Sequence, residues 1–572
     1  MTTLRSSVLP SFRGFQRAGI RSDALAGLTV WAVLVPESLA YATIAGVPPV
    51  VGLYAAVPAL LLYALLGSSR QMVVATMSAT AALSASIVGA YALAGSDDYV
   101  ALTATLAIVT GLLALLAGVL RFGFLASFIS EPVLKGFIVG LALTIIAGQL
   151  PELVGVEKSS GNFFQQIAGL LGELSSANVA TLVLGVACLG LVLGLRRWQP
   201  RVPGSLVAVL LGIAAVPLLD LVARGVAIVG PIDAGLPSLG LPQEREVSDY
   251  LMLVASAAGV LIIAFAEGLA AAKAFAGPDD GDIDPDQELI ALGAANIGSG
   301  LASGMVVNGS LSKTAVNASA GARSQVSGVT VAVLVVVTLL FLTGLFENLP
   351  EATLAAVVIA AVIELVNVPS LVRLYRVWTG RLGGIYGWAA RADFIAALAA
   401  LLGVLVFDIL PGLFIGIGVS LMLLIYRASR PQVTTLVRAA DGSGDGGRWL
   451  SRSAHPDLLA RDDVLVVRVE SGLFFANADH VRREIRRQLT PSTMAVVIDA
   501  ETTPAIDVSA TEMLIALADE LRRRGIVLLV AHAIGQVRDV LRRAGEDDDV
   551  LQTVFATVDE AVASVQPATP GP

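Results

Sequence analysis

Three charged side chains lie inside segments that are otherwise almost entirely apolar. Glu37 is in VPESLAYATIAG, Glu267 is in LIIAFAEGLAAAKAFAG, and Lys313 is in NGSLSKTAVNASAG. A charge in the middle of a bilayer is unfavourable by at least about 2.5–3.5 kcal/mol, so such a residue is a functional hypothesis by default. A carboxyl group in a medium of low dielectric constant can take up and release a proton at the working pH. The two glutamates are therefore candidates for proton coupling, and the lysine is a candidate for anion binding.

Each of these residues also has a structural alternative. Glu267 could form an ion pair with Lys273 or with Lys313, although a pair with Lys313 would not exclude proton coupling, since protonation would release the lysine. The side chain of Lys313 could instead extend to the membrane interface and leave its ammonium group in water.

Two stretches rich in Gly, Ser, Thr and Ala interrupt the apolar segments, at Ser68–Ser86 and at Asn296–Gly328. Non-helical backbone at membrane depth is tolerated only where it is buried in protein or lines a cavity, and paired broken segments in a transporter indicate its binding site. A helix that begins there directs free N–H groups and a partial positive charge into the cavity, so two facing ends can bind an anion. Close helix packing by small residues is the alternative. The residues predicted to open the two half-helices are Ser78, Ala79 and Thr80, and Ser310, Leu311, Ser312 and Lys313.

The composition indicates which elements must position these residues. The chain has 572 residues, of which 56% are hydrophobic and 15% charged, with a mean hydropathy of +0.80. Soluble domains are about 45–50% apolar and about 25% charged, so this is an integral membrane protein. Apolar runs of the length that a bilayer helix needs recur from Asp23 to about Ala428, and the last part of the chain is charged, with alternating strand and helix patterns. The net charge of −9 does not indicate nucleic-acid binding.

The distribution of Lys and Arg predicts the topology. Arg5, Arg13, Arg17 and Arg21 precede the first apolar run, and basic residues mark cytoplasmic loops. Basic and base-poor loops alternate along the chain, which predicts about fourteen spans. Both termini are expected in the cytoplasm, and the protein is expected in the inner (plasma) membrane. The two interrupted stretches would be the third span of each half, which favours an inverted repeat of seven plus seven spans. The predicted domains are a cytoplasmic N-terminal segment at 1–22, a transport domain at 23–430, a cytoplasmic domain at 431–565 and a disordered tail at 566–572.

Several motifs, in order along the chain, carry a family resemblance. PESLAYATIAGVPPVVGLY resembles the first-span signature of the sulfate permease (SulP) family of anion transporters, and AEGLAAAKAFAG, DQELIALGAANIGSG and NGSLSKTAVNASAGARSQVSG resemble later parts of it. The tail, with DDVLVVRVESGLFFANADHVRREI and IVLLVAH, resembles the STAS domain (sulfate transporter and anti-sigma factor antagonist) of bacterial members.

This resemblance implies an α-helical membrane fold shared with uracil permeases, in which two inverted seven-span repeats form a core and a gate domain, together with a small α/β STAS domain and a homodimer. It implies a substrate site between the third and tenth spans, with Glu37 and Tyr41 contributed by the first span. Glu267 takes the position of the acidic residue linked to cation coupling, and a glutamate there resembles the proton-coupled members.

Two positions depart from the family pattern. Many members have glutamine where this chain has Glu37, and a carboxylate beside an anion site repels the substrate unless it is protonated, so Glu37 is a candidate second proton carrier. Many members also have Gly-Pro where this chain has Ala75-Thr76-Met77, which leaves the start of the first half-helix open.

The expected function is a proton-coupled symporter of a small anion, with sulfate as the first candidate and bicarbonate or a dicarboxylate as alternatives. An uncoupled anion channel or exchanger, and an anion sensor that signals through the STAS domain, are the competing hypotheses. No enzymatic activity, cofactor or metal is expected, and the expected partners are the anion, protons, membrane lipid and a second copy of the chain.

Overall fold

The computed structural model describes most of the chain. The described residues are 11, 19–124, 130–159, 161–199, 202–231, 234–242, 247–276, 283–363, 366, 369, 372–373, 375, 385–407, 409–439, 448–458, 461–544 and 554–565. They belong to two compact units, one drawn from residues 1–379 and 390–420 and the other from residues 380–389 and 421–572. The predicted disordered tail at 566–572, and most of the predicted N-terminal segment at 1–22, lie outside the described residues.

The first half of the first unit contains eight helices and one short strand in the described residues. They are α1 (Ile20–Ile44), α2 (Val50–Leu66), β1 (Val73–Ala75), α3 (Ser78–Val88), α4 (Asp97–Val119), α5 (Glu131–Val154), α6 (Phe163–Glu173), α7 (Val179–Trp198) and α8 (Gly204–Leu218). Pro48 and Pro49 separate α1 from α2, as expected for residues that cannot donate a helical hydrogen bond.

The second half repeats this order in the described residues. Its elements are α9 (Val247–Ala274), α10 (Pro285–Leu301), β2 (Asn308–Ser310), α11 (Leu311–Ser319), α12 (Val326–Phe341), α13 (Glu351–Val362), α14 (Ile385–Phe407) and α15 (Ile409–Ala428). Seven of the described helices are long and apolar enough to cross a membrane, and five shorter ones are apolar as well. Without the short helix α6, which buries only Leu170, each half contributes seven of the helices in the described residues, in agreement with the predicted fourteen segments.

The packing of the helices reveals the inverted repeat that the residues alone did not show. Helix α4 packs against α10, and its counterpart α12 packs against α2; α1 packs against α12, and correspondingly α9 packs against α4. Each of these contacts between a helix of the first half and a helix of the second half therefore has a counterpart in which the two halves are exchanged. Helices α1–α4 and α9–α12 form one packed group, the core group, whereas α5, α7, α8 and α13 pack on one another as the gate group.

The second unit contains a six-stranded sheet with helices on both faces. The strands are β3 (Val433–Arg438), β4 (Trp449–Ser451), β5 (Val464–Val469), β6 (Ala495–Asp499), β7 (Val527–Ala531) and β8 (Val554–Phe555), in the order β4-β3-β5-β6-β7-β8. Strands β5 to β8 are parallel, and β3 runs antiparallel to its neighbours. The helices are α16 (Ala478–Gln488), α17 (Val508–Arg523), α18 (Gly535–Ala544) and α19 (Val558–Ala563).

Alternation along the central strands explains why both faces of this sheet are covered. Val496 packs with Val481 and Leu517 of α16 and α17, whereas the next residue, Val497, packs with Ala561 of α19. Successive side chains of a strand point to opposite faces, so the apolar strand AVVID needs a partner layer on each side. The predicted α/β tail domain is confirmed, with its sheet beginning at Val433.

Candidate functional site

Two short strands join the interrupted segments of the two halves. Strands β1 and β2 pair antiparallel, with Ala75 opposite Asn308 and Val73 opposite Ser310. Each strand leads directly into a short helix of the core group, β1 into α3 and β2 into α11. The pairing holds the N-termini of these two helices next to each other, which is the arrangement that the sequence predicted.

The starts of both helices agree with the prediction from sequence. Helix α3 begins at Ser78, and Met77 before it provides no side-chain cap. Ser310 caps α11, because its hydroxyl accepts a hydrogen bond of 3.2 Å from the backbone N–H of Lys313. Of the other predicted residues in these segments, Ala79 and Thr80 are buried, whereas Leu311 and Ser312 are exposed.

Lys313 lies between the two halves and pairs with the first helix. Its Nζ is 2.8 Å from Oε2 of Glu37 and donates a hydrogen bond of 3.2 Å to the carbonyl of Thr76. The hydroxyl of Tyr41 lies 3.4 Å from the same carboxylate oxygen, and the Tyr41 ring centre is 4.9 Å from the ammonium nitrogen. The Lys313 side chain is completely buried and Glu37 is only 7% exposed, so the alternative in which Lys313 extends to the membrane interface is wrong.

Glu267 contacts the other strand of the pair. Its Oε2 accepts a hydrogen bond of 3.0 Å from Nδ2 of Asn308, which lies two residues before the cap of α11. Among the described residues Glu267 forms no ion pair: Lys313 is bound to Glu37, and Lys273 is exposed. The alternative of a structural pair with either lysine is therefore not the observed arrangement.

A close approach of two glycines lets α9 lie directly on β2. A Cβ atom added to Gly309 would lie 2.8 Å from the Cα of Gly268, a distance that real Cβ atoms essentially never show. The residue after Glu267 is thus in backbone contact with the strand, and this contact brings the Glu267 carboxylate to the start of α11.

Several positioning residues were not identified from the sequence. Asn296 on α10 bonds both backbone groups of Val307, donating to its carbonyl and accepting from its N–H at 3.0 Å each. Thr314 accepts a hydrogen bond from the N–H of Val73 at 3.1 Å, so α11 also holds the first strand. The sequence shows a polar residue, Asn296, among the apolar residues of α10, but it does not show which backbone groups this residue would bond.

Two further buried carboxylates serve as structural acceptors away from this site. Glu288 on α10 accepts hydrogen bonds from the hydroxyls of Tyr63 and Ser68 at 2.9 and 2.7 Å. Asp23 on α1 accepts from the hydroxyl of Ser324 at 2.5 Å and from the backbone N–H of Arg323 at 2.6 Å. Buried polar groups require such partners, and here the partners tie the segment between α2 and β1 to α10, and α1 to the start of α12.

The site has the chemistry of an anion-binding site. The charges of Lys313 and Glu37 cancel, and the adjoining N-termini of α3 and α11 supply N–H donors and partial positive charge. In the described part of the chain, one group of side chains has the spacing of metal ligands: Asp499, Glu501 and His532 in the second unit. Arg468 already pairs with the first two of these at 2.6 and 2.5 Å, so this group has a protein cation in place.

Comparison with known proteins covers nearly the whole chain. The model of the sulfate permease family matches residues 20–382, and the model of the STAS domain matches residues 455–561. A probable sulfate transporter of Mycobacterium tuberculosis is 36% identical over 96% of this chain and 96% of its own length. Sulfate transporter 1.3 of Arabidopsis thaliana is 30% identical over 96% of this chain and 85% of its own length.

Solved structures share the fold. The murine Solute Carrier 26 family member A9 anion transporter, in the inward-facing state, has a TM-score of 0.88 at 22% identity and covers 99% of this chain and 95% of its own. The transmembrane domain of the cyanobacterium bicarbonate transporter BicA has a TM-score of 0.58 at 21% identity, over 68% of this chain and 97% of its own. Both likenesses concern the fold.

Proposed function

The chain belongs to the sulfate permease family, which makes it a multi-pass membrane transporter of anions, and we propose that it is a symporter that couples a small anion to protons. The observation that carries this proposal is the Glu267 carboxylate, which meets β2 through Asn308 without a counter-charge among the described residues. A passive path has no need of a titratable acid at this position.

The anion binds between the N-termini of α3 and α11. Ser78, Ala79 and Thr80 on one side, and Ser310, Leu311, Ser312 and Lys313 on the other, supply backbone N–H groups, hydroxyls and charge, with Glu37 and Tyr41 beside them. Half-helix N-termini bind anionic substrates in other transporter folds. The Lys313–Glu37 pair orients the ammonium group while leaving the site with little net charge.

Electrostatic repulsion provides the coupling. An ionised Glu267 next to the start of α11 opposes the binding of an anion, and a proton on Glu267 removes that opposition. By reciprocity, a bound anion increases the affinity of the site for the proton by the same factor. Proton and anion therefore bind together, and the proton on Glu267 offsets one negative charge of the anion.

Movement of the core group relative to the gate group carries the loaded site across the membrane, by an elevator or rocking motion. The helix packing supports this division, because α1–α4 and α9–α12 pack mainly on one another, as do α5, α7, α8 and α13. The short strands and the broken helices lie within the core group, so the site would move as one body.

Sulfate is the first substrate to test. Two relatives at 36% and 30% identity carry sulfate in their names, whereas the likeness to the bicarbonate transporter BicA, at 21% identity, concerns the fold. Helix N-termini and a lysine suit any small anion, so bicarbonate and dicarboxylates belong in the same experiment.

The domain boundaries predicted from sequence complete the proposal. We infer a transport domain at 23–430 in the plasma (inner) membrane, with both termini and the STAS domain at 431–565 in the cytoplasm. A homodimer is proposed from the family resemblance. Chemical cross-linking in membranes, and labelling of single cysteines from either side, test these points.

Uptake into proteoliposomes tests the central claim. Labelled sulfate, bicarbonate and succinate are offered with and without an inward proton gradient, to wild type, Glu267→Gln and the control Glu152→Gln on gate helix α5. Glutamine keeps an oxygen that can accept the hydrogen bond from Asn308, so the fold is retained. Accumulation of one anion above equilibrium in wild type and Glu152→Gln, and equilibration only in Glu267→Gln, supports symport. If neither the proton gradient nor the Glu267→Gln substitution changes the flux, the hypothesis of an uncoupled anion channel or exchanger is favoured.

Deletion of the STAS domain tests the sensor hypothesis. A transporter retains some flux without residues 431–565, whereas a sensor binds the anion and moves none.

A further inference from the structure

The inverted repeat relates Glu37 and Glu267 to each other. Glu37 lies on α1 and Glu267 on α9, the first helix of each half, and each lies about two turns before the end of its helix, at Ile44 and Ala274. Both begin a similar tetrapeptide, ESLA in the first half and EGLA in the second. The two acids occupy equivalent positions in the fold.

Their surroundings differ at one position. Lys313 is the third residue of α11, which packs against α1, and it pairs with Glu37. Thr80 is the third residue of α3, which packs against α9. One half therefore has a lysine where the other has a neutral threonine, so one glutamate has a counter-ion and its equivalent does not.

We propose, on the basis of the proton symport inferred above, that this asymmetry assigns different roles to the two acids. Glu37 is the permanent counter-ion of Lys313, Glu267 is the single proton carrier, and the neutral residue at position 80 is what leaves Glu267 free to titrate. Thr80 is thus the residue that determines proton coupling, through Glu267.

The geometry of the pair makes Glu37 the counter-ion of Lys313. The ammonium group is 2.8 Å from the carboxylate, and both side chains are buried. Protonating Glu37 would leave the Lys313 charge without a partner in the protein interior, which is strongly unfavourable. Glu267 is partly accessible and bonded to a neutral amide, so it can exchange a proton without leaving another charge unpaired.

No cation compensates Glu267 from the other elements packed against α9 in the described residues. Those elements are α3, α4, α10, α11 and β2, together with α15, whose Leu410 lies against Gly259 of α9. The charged residue of α15, Arg427, is in its last turn, about 25 Å further along the helix axis than Leu410. Neither α3 nor β2 contains a charged residue. The charged residues on the remaining three are Asp97 and Asp98 in the first turn of α4, Asp286 and Glu288 on α10, and the paired Lys313 on α11.

The test moves the counter-ion to the second half. Thr80→Lys introduces an ammonium group at the position equivalent to Lys313, and Glu152→Gln on gate helix α5, away from the anion site, is the control. The readout is the steady-state ratio of anion inside to outside under an inward proton gradient, which is a thermodynamic quantity and does not depend on the rate. We expect this ratio to fall to about one in Thr80→Lys and to remain above one in Glu152→Gln.

Each outcome has a distinct meaning. If wild type itself does not accumulate the anion, the proposed symport fails. If wild type and Thr80→Lys both accumulate it to the same ratio, symport holds and the role assigned to Thr80 is overturned.

An infrared titration of the purified full-length protein gives an answer even if Thr80→Lys does not transport. The pH-dependent carbonyl band of a protonated carboxyl group is followed in wild type, Glu37→Gln, Glu267→Gln and Thr80→Lys. We expect the titrating band to be missing in Glu267→Gln and Thr80→Lys and present in Glu37→Gln. Loss of the band in Glu37→Gln, with retention in Glu267→Gln, would reverse the assignment.

Discussion

Replacing Lys313 with methionine removes an ammonium group that lies 2.8 Å from the Glu37 carboxylate while nearly preserving the length of the side chain. The carboxylate that remains is 7% exposed, and removing one partner of a buried ion pair destabilises a protein by about 3–5 kcal/mol. The carbonyl of Thr76 also loses the hydrogen bond that it accepts from Nζ. We therefore expect a large decrease in the unfolding temperature at neutral pH.

The double variant Glu37→Gln/Lys313→Met separates the charge effect from the packing effect. Replacing a buried ion pair by neutral groups of similar volume is often close to neutral for stability. The double variant should thus recover most of the loss, and acidification should recover part of it in Lys313→Met, because a protonated Glu37 no longer leaves a buried charge. The assay is thermal unfolding of the full-length protein in detergent at neutral and acidic pH. Equal stability of the single and double variants would refute the proposal that the unpaired Glu37 carboxylate destabilises the protein.

Two further substitutions test how the strand pair is held. Gly309→Ala should abolish most uptake, because its Cβ would lie 2.8 Å from the Cα of Gly268 and must push β2 away from α9. The control is Gly172→Ala, whose Cβ has no atom within 4 Å and which should behave as wild type in the same flux assay. Asn296→Ala should lower the unfolding temperature, because each buried backbone group of Val307 that it leaves unpaired costs about 1–3 kcal/mol; an unchanged unfolding temperature would mean that other groups replace these bonds.

Local features of the chain were predictable because they depend on neighbours in sequence. The start of α3 at Ser78 follows from small and hydroxyl-bearing residues that interrupt an apolar run. The same signal marks Ser310, whose hydroxyl caps the helix that follows it. The apolar run IVLLVAH likewise predicted a strand in the tail domain, where β7 lies, because continuous apolar runs are typical of parallel strands covered on both faces.

The inverted repeat was only partly predictable. The placement of the interrupted segments indicated two halves, but ESLA and EGLA are too short a match to establish equivalence. Helix packing establishes the repeat better than residue identity does, because many different apolar residues can fill the same interface. The α4–α10 contact has its counterpart in the α12–α2 contact, and this correspondence requires that the chain follow the same path in both halves.

The sequence by itself determined that the chain spans a membrane, that its tail is an α/β domain, and that Glu37, Glu267 and Lys313 are the charged residues most in need of an explanation. Tertiary structure alone decided that Lys313 binds Glu37 and that Glu267 binds Asn308. The reason is physical: hydropathy and helix starts arise from interactions along a few turns of chain, whereas the partner of a buried charge depends on which distant helices the strand pair brings together.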